Sequence, residues 1–295
     1  MKLVITGGSG KLAQRAAELL LARIAPQDLI VTSRTPAKLR WLAERGVTVR
    51  QADFAVPETL RAAFAGAERM LLVSATDLSQ RTAQHRAALD SAKAAGVRHV
   101  VYTSGLEPEP PNPAVVAPSH HATEQALVQS GVEWTILRNS LYADYQIPEG
   151  LQAIAAGALV HNRGAGKVAY VSREDCAAVA AAVLVAAGHA GKCYDVTGPR
   201  AYAASELAAL YGELGGRPVI ERSVSDADFI AGIVGTAAGG DHLRYGAELV
   251  ASFGRSIREG YMDACTDHVA KLTGRPPQAV RQVLEPLRRR AANET

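Results

Sequence analysis

The sequence predicts an α/β protein built on a doubly wound parallel sheet, a Rossmann fold, with a smaller C-terminal α/β substrate region. Three observations carry that expectation. Strand-like and helix-like segments alternate through the first half of the 295 residues. The strand-like runs are almost continuously apolar, as expected when helices cover both faces of a sheet. A glycine-rich turn falls between the first strand and the first helix, where a phosphate-binding loop belongs.

The elements follow in order. Lys2–Thr6 is a short apolar run ending in glycines, and Lys11–Ile24 has helical spacing at Leu12, Ala16, Leu19, Leu20 and Ile24. Leu29–Thr32 reads as the second strand and Pro36–Arg45 as the second helix, stopped by Gly46 before the strand Val47–Gln51. Glu58–Phe64, Ser79–Ala95 and His120–Ser130 read as helices, alternating with strands at Met70–Ser74, His99–Thr103 and Glu133–Leu137. Glu107–Pro118 holds five of the 14 prolines and is read as a loop after the fifth strand.

Beyond about residue 145 the pattern loosens. Arg173–Ala187 is an alanine-rich helix, Lys192–Thr197 a last strand of the same sheet, and Ser205–Leu214 another helix. Ala231–Gly240, with four glycines, reads as a mobile loop, and Gln278–Leu287 as a final helix. The expected division is a dinucleotide-binding domain over 1–145 and a substrate-side region over 146–295, partly interleaved with the sheet.

Composition narrows the function. Hydrophobic residues make up 48% and charged residues 21%, a balance that excludes a wholly disordered chain. The net charge of +3 is too small for a nucleic-acid footprint. Cys176, Cys193 and Cys265 are widely spaced and odd in number, so neither a disulfide framework nor a structural zinc site is expected. No metal is expected elsewhere, since the adjacent His120 and His121 point about 100° apart on a helix. No apolar run approaches the roughly 20 residues that span a bilayer. The expectation is a cytoplasmic protein with a small-molecule partner, no nucleic-acid partner and no membrane. A homodimer is left open.

Thr6-Gly7-Gly8-Ser9-Gly10-Lys11-Leu12-Ala13 reads G-x-x-G-x-x-A with an extra glycine at Gly8. Gly7 allows a tight turn, Gly10 lets backbone approach a pyrophosphate, and Ala13 allows close helix–sheet contact. The N–H groups at the helix start then face the phosphates. After the second strand stands Ser33-Arg34-Thr35-Pro36-Ala37-Lys38, where an NAD-preferring site places an acid. Arg34 instead sits where a 2′-phosphate would lie, with Lys38 one helical turn further. This pattern predicts NADPH/NADP+ as cofactor.

The strand ends Ser74-Ala75-Thr76, Thr103-Ser104 and Arg138-Asn139 mark the carboxyl edge of the sheet, where ligands on open α/β sheets bind. Ser74, Ala75 and Thr76 would flank ribose or pyrophosphate. Thr103 and Ser104 would reach the nicotinamide side, and Asp53 the adenine amino group. For each of these residues alone a capping or turn role competes.

These segments together resemble the NmrA-like atypical short-chain dehydrogenase/reductase family, especially its NADPH-dependent quinone reductase branch, which is similar to triphenylmethane reductase. The resemblance rests on Gly7–Ala13, Arg34–Lys38, Gln51-Ala52-Asp53, Gln84-His85-Arg86 and Ala94-Ala95-Gly96-Val97. It also rests on Tyr102-Thr103-Ser104, His120-x-x-Thr123-Glu124, Leu137-Arg138-Asn139 with Tyr142, and Gly164-x-Gly166-Lys167 with Arg173. It implies NADPH held by Gly7, Gly8, Ser9, Gly10, Lys11 and Leu12, by Arg34 and by Ser74–Thr76. Arg138, Asn139, Ser140, Leu141, Tyr142 and Arg173 would complete the site. Gln125, where relatives often carry Lys, and the proline-rich loop depart from the family on the substrate side. The family also contains regulators that bind the dinucleotide without turning it over. Such a sensor is the alternative to a reductase.

No tyrosine is followed by Lys four residues on, so the Tyr-x-x-x-Lys relay that serves alcohols is missing. Hydride delivery to a conjugated acceptor that needs little acid help fits better, whether a quinone, an azo dye or a triarylmethane dye. Should a protein acid be used, Tyr142 and His120 are the candidates, the imidazole because it ordinarily titrates near neutrality.

Overall fold

Leu3 and Ile5 of the first strand pack into one hydrophobic cluster while Val4 between them packs into another. Val31 and Ile30 divide in the same way, as do Val101 and Val100, and Leu137 and Ile136. Alternate side chains of a strand point to opposite faces, and here both faces are dry, so the apolar runs are continuous.

The computed structural model describes residues 1–235 and 240–291. The first half runs β1 (Leu3–Ile5), α1 (Lys11–Leu21), β2 (Leu29–Ser33), α2 (Arg40–Ala43), β3 (Thr48–Gln51), α3 (Glu58–Phe64) and β4 (Arg69–Leu72). It continues α4 (Arg81–Ala94), β5 (His99–Gly105), α5 (Ala117–Gln129), β6 (Glu133–Asn139) and α6 (Gln146–Ala156). Seven parallel strands pair in the order β3-β2-β1-β4-β5-β6, closed by an edge strand at Lys192–Val196. The chain starts in the middle, winds outward to β3, then returns to β4 and winds the other way. The crevice between the carboxyl ends of β1 and β4 is therefore the switch point, where such sheets bind ligands.

Residues 146–295 contribute to two places. The alanine-rich α7 (Arg173–Val185) packs beside α1 on the sheet, with every residue from Asp175 to Leu184 buried. Small side chains allow that close approach. The rest gathers around a second cluster that includes Tyr170, Leu207, Tyr211 and Leu287. It contains α8 (Ala204–Gly215), α9 (Asp226–Val234) and α10 (Gly240–Arg258), with a parallel strand pair of Ala158–His161 and Ile220–Ser223.

Several expectations need correction. The second helix shrinks to a 3-10 turn, Pro36–Leu39, followed by the four residues of α2. α5 begins at Ala117, so the proline-rich loop is shorter than read; Pro118 is tolerated because first-turn N–H groups lack partners anyway. The start of Ala231–Gly240 is helical rather than loop, and its residues 236–239 lie outside the described residues. The final helix is two short ones, Val280–Leu284 and Pro286–Ala291. Among the described residues no helix is long and apolar enough to cross a membrane.

Candidate active site

The switch-point crevice is laced together by Thr6, which follows β1. Its hydroxyl donates to the carbonyl of Leu71 at 3.2 Å and accepts from the N–H of Val73 at 3.0 Å. The chain then turns at Gly7, whose φ of +64° suits a residue without Cβ. Gly8 donates to the carbonyl of Thr32 at 2.7 Å, and a Cβ there would lie 2.3 Å from Val31 Cγ1. A Cβ on Gly10 would lie 3.2 Å from the carbonyl oxygen of Gly7. The loop is thus a cradle kept open by missing side chains. It feeds α1, whose first turn has no side-chain cap and no acidic residue. Ser9 and Lys11 are exposed there, while Leu12 and Ala13 are buried against the sheet.

At the outer edge of the crevice Arg34 and Lys38 are exposed, and among the described residues neither forms an ion pair. Asp53 follows β3, and its Oδ1 accepts the N–H of Ala55 at 3.0 Å in a tight turn. The turn role considered for Asp53 therefore occupies one carboxylate oxygen.

On the β4 side the segment Ser74–Thr76 is held by side chains from two elements, β5 and α4. Ser74 N–H donates to Thr103 Oγ1 at 3.0 Å, and Ala75 N–H to His85 Nε2 at 2.9 Å. Arg81 Nε donates to the carbonyl of Ala75 at 2.7 Å. A backbone N–H can only donate, so His85 Nε2 accepts and its Nδ1–H donates to Thr123 Oγ1 at 2.9 Å. The same logic fixes His120. Arg81 Nη1 lies 3.3 Å from His120 Nε2, which must accept, so His120 Nδ1–H donates to the Tyr102 hydroxyl at 2.8 Å. Burial, reinforced by the charge of Arg81, pulls both histidines down to about 3. This corrects the expectation that His120 titrates near neutrality: the ring is neutral and its one proton is already engaged.

Between β5, β6 and the C-terminal half lies a cavity of about 180 Å³. Its apolar wall includes Leu106, Val116, Leu141, Tyr142, Phe253 and Met262. Its polar side includes Ser74, Thr103, Ser104, Asn139, Ser140 and His120. Among the described residues three buried atoms here have no hydrogen-bond partner: Ser104 Oγ, Asn139 Oδ1 and Ser140 Oγ. Buried polar atoms are ordinarily satisfied, so three orphans in one cavity suit a polar ligand. Asn139 Nδ2 donates to the Tyr142 hydroxyl at 3.3 Å, and burial pushes that phenol up. Tyr142 stacks on Tyr145 with centroids 5.9 Å apart, and the Arg173 guanidinium lies 5.3 Å from the Tyr142 centroid.

A family model described as NAD(P)H-binding matches residues 7–187. The chain belongs to the NAD(P)H-binding family. Quinone oxidoreductase 2 of Escherichia coli is 37% identical over 231 residues, covering 78% of this chain and 80% of that one. A crystal structure of an Escherichia coli NADPH-dependent quinone oxidoreductase with NADPH superposes with a TM-score of 0.92 at 33% identity, covering 97% and 99%. Triphenylmethane reductase of Citrobacter sp., complexed with NADP(H), gives a TM-score of 0.89 at 30% identity, covering 97% and 100%. The protein is an NAD(P)H-dependent oxidoreductase.

For an NAD(P)H-binding chain the residues fit the cofactor. The Gly7–Gly10 cradle has room for backbone to meet a pyrophosphate, and the orphaned atoms belong to residues that line the cavity at the carboxyl ends of β5 and β6. Two of the expected cofactor residues are paired with carboxylates. The Arg138 guanidinium is occupied by Glu124 and Glu109, so its side chain braces α5 and the proline-rich loop. Arg173 is paired with Asp144 at 2.9 Å and roofs Tyr142 and Tyr145. Arg81, His85, Tyr102 and Thr123 were missed as site-building groups. Gln84-His85-Arg86 was a visible signal, but its partners lie on other elements.

Proposed function

We propose that the protein transfers hydride from NADPH to a conjugated electrophile, a quinone or an azo- or triarylmethane-type aromatic acceptor, bound against Tyr142. The observation that carries this reading is the cavity itself. It joins an aromatic and aliphatic wall to orphaned polar atoms at the carboxyl edge of the sheet, and no side chain in it is poised to give up a proton.

NADPH supplies the hydride. In this reading the Gly7–Leu12 loop receives the pyrophosphate, and Arg34, aided by Lys38, receives the 2′-phosphate. Asp53 meets the adenine through its free oxygen. Ser74, Ala75, Thr76 and Thr103 shape the middle of the crevice. Asn139, Ser140, Leu141 and Tyr142 face the nicotinamide and the acceptor. Tyr142 acts as a stacking platform, held flat by Asn139 and Arg173. Neutral His120 and the raised Tyr142 phenol make poor acids, so the reduced acceptor takes its protons from water. The quinone and dye relatives support this acceptor class.

The test is NADPH oxidation against a panel of quinones and aromatic dyes. Acceptor-dependent oxidation is expected, with Tyr142→Phe keeping kcat within about threefold and Tyr142→Ala losing at least tenfold in kcat/KM. Cofactor binding without oxidation of any acceptor would instead favour a sensor.

A further inference from the structure

Beneath the cleft lies a cation without a carboxylate. Arg81 opens α4 and is 6% exposed. Its hydrogen bonds go to three neutral acceptors: the Ala75 carbonyl, Ser119 Oγ at 3.2 Å and His120 Nε2. Among the described residues it forms no ion pair, whereas two half-buried arginines do: Arg138 pairs with Glu124 and Arg173 with Asp144. Glu107, crowded by Asp195 and Asp263, does not pair with Arg81. The groups that face Arg81 are His85, His120, Tyr102 and Tyr245. None is a carboxylate, and the two imidazoles are kept neutral by burial and by the arginine.

An arginine keeps its proton even when buried. An uncompensated charge is costly to bury unless something offsets it. One side chain, His120, separates this charge from the cavity. His120 accepts from Arg81 on one ring nitrogen and lines the cavity.

We propose that Arg81 sets acceptor choice, favouring acceptors that become anions on taking hydride and disfavouring cationic ones. The proposal rests on the reductase reading above. A neutral quinone that accepts hydride, one proton with two electrons, becomes a hydroquinone monoanion, which then takes a proton from water. A cationic triarylmethane dye that accepts hydride becomes a neutral leuco compound. Negative charge thus grows beside Arg81 in the first case, and positive charge must first be brought near it in the second. Arg81 touches neither reactant in this scheme; it acts across His120 as a specificity-determining residue.

The test compares the wild type with Arg81→Gln, which removes the charge, and Arg81→Lys, which keeps it. With 1,4-naphthoquinone, Arg81→Gln is expected to lower kcat at least tenfold and change KM less than threefold. With crystal violet the same variant is expected to raise kcat/KM at least threefold, and Arg81→Lys to lie between. A merely structural role would lower both acceptors alike, and that result would overturn the proposal. A second readout needs no turnover: calorimetric binding of anionic 2-hydroxy-1,4-naphthoquinone against neutral 1,4-naphthoquinone to the NADP+-loaded protein. The wild type should prefer the anion, Arg81→Lys should keep the preference, and Arg81→Gln should lose it; an unchanged preference in Arg81→Gln sinks the proposal. Should the wild type reduce neither acceptor, the reductase reading fails, and the binding preference alone still decides the role of Arg81.

Discussion

Arg138 clasps Glu124 through two hydrogen bonds, from Nε at 3.0 Å and from Nη2 at 2.6 Å, and the same Nη2 also holds Glu109. Glu124 is 4% exposed, so β6 and α5 are joined by a pair that is largely out of water. Removing Glu124 leaves Arg138 with only the more exposed Glu109 as counter-ion.

Glu124→Gln should therefore destabilise the protein by roughly 2–4 kcal/mol, somewhat less than a fully buried pair because Arg138 is partly exposed. Urea unfolding measures it. NADPH affinity should change less than threefold. A large loss of affinity with unchanged stability would put Arg138 on the cofactor after all.

Arg34 stands exposed at the end of β2 without an ion-pair partner among the described residues. A charge-assisted contact to phosphate contributes about 1.5–3 kcal/mol, and about 1.4 kcal/mol is tenfold in affinity. Arg34→Asp should raise the NADPH dissociation constant at least tenfold and erase the preference over NADH. Unchanged selectivity would remove Arg34 from the 2′-phosphate.

Gly8 is where the cradle tolerates least. Its added Cβ would meet Val31 Cγ1 at 2.3 Å and Leu39 Cδ1 at 2.9 Å, both inside the core. Gly8→Ala should cost about 1–3 kcal/mol of stability through overpacking. It should also weaken NADPH binding by shifting the loop. Adding Val31→Ala should recover part of both losses, as read by unfolding midpoints and calorimetry.

The buried histidines give stability a pH dependence. His85 and His120 are held near 3, while an unfolded histidine titrates near 6.5. Below pH 6.5 the unfolded chain binds protons that the folded chain refuses, so stability falls as pH falls toward 3. Each histidine contributes at most about 1.4 kcal/mol per pH unit. Between pH 6.5 and 4.5 the slope of unfolding free energy should flatten in His85→Asn and in His120→Asn. An unaltered slope would mean that these rings take up protons in the folded state.

The sheet was legible because each strand is a short apolar run and each helix carries its own period. The glycine loop was legible because three backbone demands fall within four residues. α6 was missed because Pro148 and Gly150 look like breakers. Pro148 sits in the first turn, where an N–H needs no helical partner, and Gly150 lets the helix approach Tyr211, whose ring carbons would lie 3.0 Å from an added Cβ. The fate of the arginines was hidden for another reason. Arg34, Arg81, Arg138 and Arg173 look alike in a sequence. Whether each meets a carboxylate depends on a residue from another element, such as Glu124 for Arg138 or Asp144 for Arg173.

The most direct test is a single-turnover stopped-flow trace in which the NADPH-loaded protein is mixed with 1,4-naphthoquinone. The account predicts rapid loss of reduced-nicotinamide absorbance, saturating with quinone and far faster than for free NADPH. A trace no faster than free NADPH, with this quinone and with every other conjugated acceptor offered, would contradict it.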